Sequence, residues 1–202
     1  INTGITIKGE KMMSEPPTQI ETEVQKINLK KFNEEDFILD IGGGGEGLVS
    51  RIAGNRVCAL DIRMSEVREA QIHGHSSNWF VADGMSLCFK DETFDVVTLW
   101  FSLGYMVNWT TKEAVLREAN RILKKGGQLS IMASHVPDNI ELFIFWATFT
   151  LPDGTLSKTG YGVRGGQDQT LARVLDCLTK TGFVQHQYDD HAVWFEIEAQ
   201  KV

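Results

Sequence analysis

The segment ILDIGGGGEG, at Ile38–Gly47, places an acidic residue directly before a run of glycines. Glycine leaves the backbone bare and accepts positive φ angles, so a ligand can approach this loop closely. The carboxylates of Asp40 and Glu46 would each repel a pyrophosphate by about 1–4 kcal/mol, depending on the local dielectric, and would attract a cationic amine. The segment therefore predicts a ligand-binding loop. The glycines expected to line it are Gly42, Gly43 and Gly44.

Two further carboxylates end apolar stretches later in the chain. Asp61 follows RVCAL, and Asp83 follows NWFVA. At the carboxyl ends of parallel strands, the first can accept hydrogen bonds from a ribose diol and the second from an exocyclic adenine amine. An amine, a ribose and an adenine together indicate S-adenosylmethionine. Since positions 42, 44 and 47 also fit the dinucleotide pattern G-x-G-x-x-G, a nicotinamide dinucleotide stays an alternative.

Apolar stretches alternate with helical patterns through much of the chain, which predicts parallel strands joined by helical crossovers. The last two stretches, FVQHQY and AVWFEIEA, are separated only by residues 189–191, so we expect them to pair antiparallel. The expected fold is α/β, Rossmann-like and doubly wound, with a mostly parallel sheet and one antiparallel strand near the edge. Before the first strand, the spacing of Ile20, Val24 and Ile27 predicts an amphipathic helix.

The size and charge of the chain favour one acidic globular domain. The sequence has 202 residues, of which 42% are hydrophobic, and a net charge of −7 at pH 7. An acidic balance disfavours a nucleic-acid surface, which needs a basic stripe. We expect a flexible tail at 1–17 and a single domain at 18–202, with a cap-like insertion at about 136–166.

Cysteine usage predicts a cytoplasmic protein. Cys58, Cys88 and Cys177 are widely spaced and form no C-x-x-C motif, as expected for reduced thiols. The amino terminus has no basic stretch followed by an apolar core, so no signal peptide is predicted. The most apolar segment, at 140–149, is shorter than the roughly 20 residues of a membrane span.

The segments ILDIGGGGEG, ALDI, VADG, FDVVTLWFSLGYM and LREANRILKKGGQLSI occur in this order and spacing. In these segments the chain resembles the class I S-adenosylmethionine-dependent methyltransferases, over roughly 38–133 and in outline over the final hairpin. The branch it resembles most contains the ubiquinone/menaquinone-type and other small-molecule methyltransferases. The resemblance implies a seven-stranded sheet of order 3-2-1-4-5-7-6 with an antiparallel seventh strand. The family pattern D-x-G-x-G-x-G would place glycine where this chain has Glu46.

The resemblance also implies which residues bind the cofactor. Asp40, Gly42 and Gly44 would contact the methionine part, and Asp61 would bind the ribose hydroxyls. The adenine would lie against Ile62, Asp83, Gly84 and Met85. Trp100 and Phe101 would lie near the methyl group. No metal site is expected, because His73 and His75 lack a third ligand.

The expected activity is transfer of a methyl group from S-adenosylmethionine to a small-molecule nucleophile, with S-adenosylhomocysteine as product. Alignment and exclusion of water would suffice, and a general base is optional. The candidate bases are His135, Tyr105 and Tyr161. The accepting atom, the substrate and the oligomeric state, including a homodimer, stay open. The alternatives are a nicotinamide-dependent oxidoreductase and a non-catalytic methyltransferase-like partner subunit.

The segment at 139–166 joins an aromatic run, at 139–149, to glycines at 160, 162, 165 and 166. Such a run after the fifth strand could be a lid, part of the core or an interface. We expect a lid that closes over substrate and cofactor, because the glycines provide hinges beside it.

Overall fold

The computed structural model describes residues 5–7, 19–74 and 76–202. Within these residues the chain forms twelve strands and four α-helices. The strands are β1 (Ile5–Ile7), β2 (Gln19–Thr22), β3 (Gln25–Asn28), β4 (Ile38–Ile41), β5 (Val57–Asp61), β6 (Asn78–Val81), β7 (Phe94–Trp100), β8 (Leu123–Ser134), β9 (Leu142–Thr150), β10 (Leu156–Arg164), β11 (Phe183–Asp190) and β12 (Trp194–Lys201). The helices are α1 (Leu48–Ala53), α2 (Met64–His73), α3 (Trp109–Ile122) and α4 (Leu171–Lys180), with 3₁₀ turns at Gly54–Arg56 and Leu103–Tyr105.

Seven strands form the larger sheet, in the order β11-β12-β8-β7-β4-β5-β6. β4 pairs parallel with β5 and β7, whereas β12 runs antiparallel to both β8 and β11. Numbered within this sheet, the order is 3-2-1-4-5-7-6, so the predicted order and the antiparallel seventh strand are confirmed. Because parallel strands end at the same edge, the residues that follow β4, β5, β6 and β7 meet there.

Helices cover both faces of this sheet. Leu39 and Ile41 of β4 belong to the core cluster that contains α3 and α4, whereas Ile38 packs with Val49 of α1. All four residues of β4, including Asp40, are buried. Burial on both faces accounts for a strand that is apolar almost throughout. The predicted doubly wound α/β fold is therefore confirmed.

A second sheet of five strands has the order β1-β2-β9-β10, and β3 also pairs with β9. Its strands β2 and β3 occupy the region for which an amphipathic helix was expected, so that prediction is wrong. Ile20 lies opposite Phe143, and Ile27 lies opposite Phe149, both as strand partners. Pairing with β9 overrides the local helical spacing of a few apolar residues, because strand formation depends strongly on what the neighbouring strand offers.

β9 and β10 form a paired hairpin over Leu142–Arg164, within the predicted cap-like insertion. Alternate residues of β9 point into the core: Phe143, Phe145 and Phe149 are buried, while Trp146 faces the other side and is exposed. The three phenylalanines pack in one cluster between the two sheets. The aromatic run therefore contributes to the core, and this packing does not support the lid expected from its glycines.

Some expectations fall on residues outside the described part of the chain. Of the predicted tail at 1–17, only 5–7 are described, and they form β1, which pairs antiparallel with β2. His75, one of the two histidines considered for a metal, is also outside the described residues.

None of the helices in the described part of the chain is long and apolar enough to cross a membrane. Among the described residues, no three His, Cys, Asp or Glu side chains are grouped so that they could hold a metal ion. The three cysteines are all free thiols, with Cys58 and Cys177 buried and Cys88 exposed.

Candidate active site

A cavity of about 720 Å³ opens where the parallel strands of the larger sheet end. Small-molecule sites commonly have volumes of roughly 300–1,000 Å³. The wall is built by the glycine loop, by the ends of β4 to β7 and by β10. It contains every predicted cofactor-binding residue, namely Asp40, Gly42, Gly43, Gly44, Asp61, Ile62, Asp83, Gly84, Met85, Trp100 and Phe101.

The glycine loop directs several of its N–H groups into the protein. Gly42 and Gly43 donate to the carbonyl of Leu60 at 2.8 and 3.0 Å, and Gly45 donates to the carbonyl of Glu66 at 3.0 Å. A pyrophosphate is held by free backbone N–H groups at such a turn. Since these three are engaged, the loop is poorly suited to a dinucleotide and offers a ligand bare backbone instead.

The protein's own carboxylates lie directly against this loop. A Cβ atom at Gly43 would lie 2.2 Å from Asp40 Oδ2, and one at Gly44 would lie 2.7 Å from Asp61 Oδ2. Both distances are far shorter than van der Waals contact. Glycine is therefore required here because carboxyl groups crowd the backbone, which brings two acidic side chains to one end of the cavity.

Asp40 is buried in the wall of the cavity, at 3% exposure. Burial raises its pKa to about 7, Thr98 opposes this rise by donating a hydrogen bond of 2.7 Å to Oδ1, and the charge of Asp61 adds to it. A cationic group bound beside Asp40 would favour the ionised carboxylate. The site therefore suits a ligand that brings a positive charge to the glycine loop.

Asp61 and Asp83 are held by short turns after their strands. Oδ1 of Asp61 accepts the N–H of Arg63 at 2.9 Å, and Oδ1 of Asp83 accepts the N–H of Met85 at 2.9 Å. Each carboxylate keeps a second oxygen for a ligand hydroxyl or amine. The apolar side chains of Ile62 and Met85 are exposed in the same wall, where they can pack against a planar base.

An aromatic stack forms the opposite side of the cavity. Phe101 follows β7 with a φ of 58°, and its ring stacks on both Phe145 and Tyr161, with ring centroids 4.9 and 5.0 Å away. A left-handed backbone at such a residue costs about 1–3 kcal/mol and persists where the surroundings fix it. The stack therefore holds Phe101 rigidly beside Trp100, whose Nε1 donates to Ser130 Oγ at 3.1 Å.

Tyr105 and Tyr161, two of the three candidate bases, line the cavity. Burial raises the pKa of Tyr105, although the charge of Arg63 opposes the rise. Burial also raises the pKa of Tyr161 well above its usual value, and the carboxylate of Glu46 adds to that rise. Both phenols are therefore protonated at neutral pH and are suited to donating a hydrogen bond rather than to removing a proton.

His135, the third candidate base, is not among the residues that line the cavity. Its backbone N–H donates to Val193 at 3.0 Å, its ring packs on Phe195, and its Nε2 lies 2.9 Å from Asp190 Oδ1. These contacts turn the imidazole toward the β11–β12 hairpin. The sequence correctly predicted that His135 follows the end of this strand, β8. It did not predict that the His135 side chain points away from the cavity.

A buried lysine supports one part of the wall and was not predicted. Lys112 of α3 has no exposed surface, and its Nζ donates to Leu103 O, Gln167 Oε1 and Gln169 Oε1 at 2.7, 2.8 and 2.7 Å. Burial lowers the pKa of Lys112 to about 7. The bond to Leu103 ties α3 to the turn that carries Tyr105, and the other two tie it to the segment just before α4. The sequence offers no signal for this role, because a lysine on a helix is usually solvated.

Sequence reasoning also missed several residues of the wall. They are Arg63, Glu66, Glu69, Ser102, Met106, Val107, Asn108, Thr111, Val115, Thr159 and Gly160. A signal for the last two was present, because the turn sequence Pro152–Gly154 separates two runs rich in aromatic and β-branched residues. That pattern predicts a β-hairpin.

Comparisons with known proteins agree with this architecture. Residues 39–131 match the family described as a methyltransferase domain. The ubiquinone/menaquinone biosynthesis C-methyltransferase of Hahella chejuensis is 35% identical over 113 residues, which are 50% of this chain and 44% of that protein. The chain thus spans less than half the length of this curated relative.

Solved structures share the fold over most of the chain. An S-adenosylmethionine-dependent methyltransferase from Methanosarcina mazei superimposes with a TM-score of 0.63 at 21% identity, covering 85% of this chain and 94% of that one. The [4+2]-cyclase SpnF superimposes with a TM-score of 0.56 at 16% identity, covering 88% and 76%. Residues 39–131 are thus similar to a methyltransferase domain, and the chain shares its fold with a solved S-adenosylmethionine-dependent methyltransferase.

Proposed function

We propose that this chain transfers a methyl group from S-adenosylmethionine to a small-molecule nucleophile. The observation that carries the proposal is Asp40, which lies buried against a glycine loop in which Gly42, Gly43 and Gly45 donate their N–H groups to the protein itself. This end of the cavity suits an amine and disfavours a pyrophosphate. The relatives named as C-methyltransferases support the same reaction class.

The residues present fit this cofactor. Asp40 would hold the amino group of the methionine part, Asp61 the ribose hydroxyls, and Asp83 the adenine amine, with Ile62 and Met85 packing on the base. When bound, the cofactor supplies a methyl group on a sulfonium. The chain's own contribution is to orient both partners and to exclude water, since alignment alone lowers the barrier substantially.

The state of the tyrosines bears on how the acceptor is activated. Because the pKa values of Tyr105 and Tyr161 are raised, neither phenol is a base at neutral pH. We therefore propose that the acceptor arrives with an available lone pair or as an anion, and that the phenols position it by donating hydrogen bonds. The role of His135 as a base, expected from the sequence, would require its imidazole to leave the contacts with Asp190 and Phe195.

Several finer features belong to the same proposal. The net charge of −7 at pH 7 supports a small-molecule substrate rather than a nucleic acid. The three free thiols support a reducing compartment such as the cytoplasm. A homodimer stays an option for the assembly, and solution scattering or ultracentrifugation would decide it.

The cofactor is tested by calorimetry with S-adenosylmethionine, S-adenosylhomocysteine and NAD side by side. We expect both adenosyl compounds to bind and NAD to show no comparable affinity. Tighter binding of NAD would favour a nicotinamide-dependent oxidoreductase. A radiolabelled methyl donor offered with phenols, amines, thiols and activated carbons then tests transfer. Binding of S-adenosylhomocysteine without transfer to any of these would favour a non-catalytic partner subunit.

A further inference from the structure

Glu46 stands where the family pattern has glycine, and its side chain connects two parts of the molecule. Its Oε2 accepts a hydrogen bond from the hydroxyl of Ser157 in β10. Arg51 of α1 donates to the same hydroxyl at 3.0 Å, and its guanidinium lies 3.9 Å from Glu46 Oε2. The serine thus accepts from the guanidinium and donates to the carboxylate, which uses both capacities of a hydroxyl group.

The hydrogen bonds among Glu46, Ser157 and Arg51 are largely shielded from water. Ser157 is 6% exposed, and the side chains of Arg51 and Glu46 are 15% and 25% exposed. Charged hydrogen bonds that are shielded from water are stronger than neutral or exposed ones. Glu46 itself lies between Gly45 and Gly47, which have φ values of 67° and 58° and give the loop its sharp turn.

The link joins the two sides of the cavity. Glu46 belongs to the glycine loop of the larger sheet, whereas Ser157 belongs to the smaller sheet, two residues before the cavity-lining segment Thr159–Tyr161. Tyr161 in turn stacks on Phe101. A displacement of the glycine loop would therefore be transmitted through Glu46 and Ser157 to the hairpin wall.

We propose that Glu46 is a positioning residue, which through Ser157 couples the glycine loop to β10, so that a ligand bound on the loop also fixes the hairpin wall of the cavity. The assignment of that ligand rests on the proposed function. Coupling of this kind is reciprocal, so an acceptor that orders the wall would also tighten binding at the loop.

The test is amide hydrogen exchange of β10 (Leu156–Arg164), with and without saturating S-adenosylhomocysteine. In the unmodified protein we expect the ligand to slow exchange of the β10 amides by about tenfold, because their opening becomes linked to loss of the ligand. In Glu46→Gly and in Ser157→Ala this slowing should fall below about twofold, since the link is a hydrogen bond of the charged kind. Glu46→Gln keeps an acceptor oxygen but loses the charge, so it should restore part of the slowing.

Lys158→Ala is the matched control, because Lys158 is the exposed neighbour of Ser157 on the same strand. It should exchange like the unmodified protein in both conditions. In the double variant Glu46→Gly with Ser157→Ala the loss should be smaller than the sum of the two single losses, because both changes remove the Glu46–Ser157 bond. Full ligand-dependent slowing in both single variants, or additive effects in the double variant, would overturn the proposal.

Failure of the coupling is distinguishable from failure of the proposed function. If the unmodified protein does not bind S-adenosylhomocysteine, the proposed function fails, and the link is then measured in the free protein. In that case Glu46→Gly and Ser157→Ala should exchange about tenfold faster than the unmodified protein over β10, with Lys158→Ala unchanged. Equal exchange in all four proteins would show that Glu46 positions nothing.

Discussion

The hydroxyl of Thr98 donates a hydrogen bond of 2.7 Å to the carboxylate of Asp40, and both side chains are buried at the centre of the larger sheet. Thr98 belongs to β7, and Asp40 lies beside it on the paired strand β4. The bond opposes the effect of burial on the carboxylate, whose pKa nevertheless rises to about 7. The charge of Asp40 is therefore adjustable near neutral pH.

Replacing Thr98 with valine should weaken binding of S-adenosylmethionine in a pH-dependent way. A cationic ligand favours the ionised carboxylate, so affinity should rise as the pH increases through about 7. Thr98→Val removes the donor, raises the pKa of Asp40 further, and should lower affinity at pH 7 about three- to tenfold, as for one lost hydrogen bond. Calorimetry from pH 5.5 to 8.5 measures this. Thr98→Ser keeps the hydroxyl as the control, and identical pH curves for all three proteins would contradict the prediction.

Asp61→Ala should weaken binding of S-adenosylhomocysteine by about 1–3 kcal/mol through lost charge-assisted hydrogen bonds. Asp61→Asn keeps the shape and one acceptor and should lose less. Asp91→Ala, at an exposed carboxylate that pairs with Arg121 away from the cavity, is a suitable control. Titration calorimetry gives the three affinities, and an unchanged affinity in Asp61→Ala would rule out a role for this carboxylate in binding.

Gly43→Ala should impair ligand binding by displacing Asp40. Gly43 is not at a positive φ, so the substitution tests space rather than backbone strain. The added methyl would meet Asp40 Oδ2, and overpacking of this kind costs about 1–3 kcal/mol of stability. A Cβ at Gly162 meets nothing within 4 Å, so Gly162→Ala is the matched control. In Gly43→Ala, the free energy of unfolding in urea and the affinity for S-adenosylhomocysteine should both fall. In Gly162→Ala, both free energies should stay within about 0.5 kcal/mol of those of the unmodified protein.

Lys112→Met should destabilise the protein by about 2–4 kcal/mol, because three buried acceptors lose their donor. The pKa of Lys112 is about 7 in the folded protein, against an ordinary value of 10.5. Between these values the unfolded chain binds more protons, so this lysine makes stability rise as the pH increases from 7 to 10. Urea unfolding between pH 7 and 10 measures this, and the free energy of unfolding should rise less with pH in Lys112→Met than in the unmodified protein.

The control for this lysine is Lys180→Met, at an exposed ion pair with Asp176. Exposed pairs contribute little, so its stability should stay within about 0.5 kcal/mol of the unmodified protein. If Lys112→Met kept the same pH dependence as the unmodified protein, the buried ammonium would not be the group that titrates.

The larger sheet could be predicted because its signals are local. β4 and β7 are predominantly apolar, as burial on both faces requires, and the final strands alternate across a short turn. The proximity of Asp40, Asp61 and Asp83 could also be predicted, because neighbouring parallel strands end at one edge of the sheet. The second sheet could not be predicted in the same way, since β2 and β3 both pair with β9, which lies more than a hundred residues further along the chain.

By itself, the sequence determined the parallel sheet, the glycine loop and the set of carboxylates at its edge. Only the tertiary structure decided which way side chains beyond the strand ends point. His135 turns toward Asp190, and Glu46 reaches Ser157, 111 residues away along the chain. The physical reason is that strand periodicity fixes side-chain direction only within a strand, whereas in a loop the direction follows from the partners that distant segments supply.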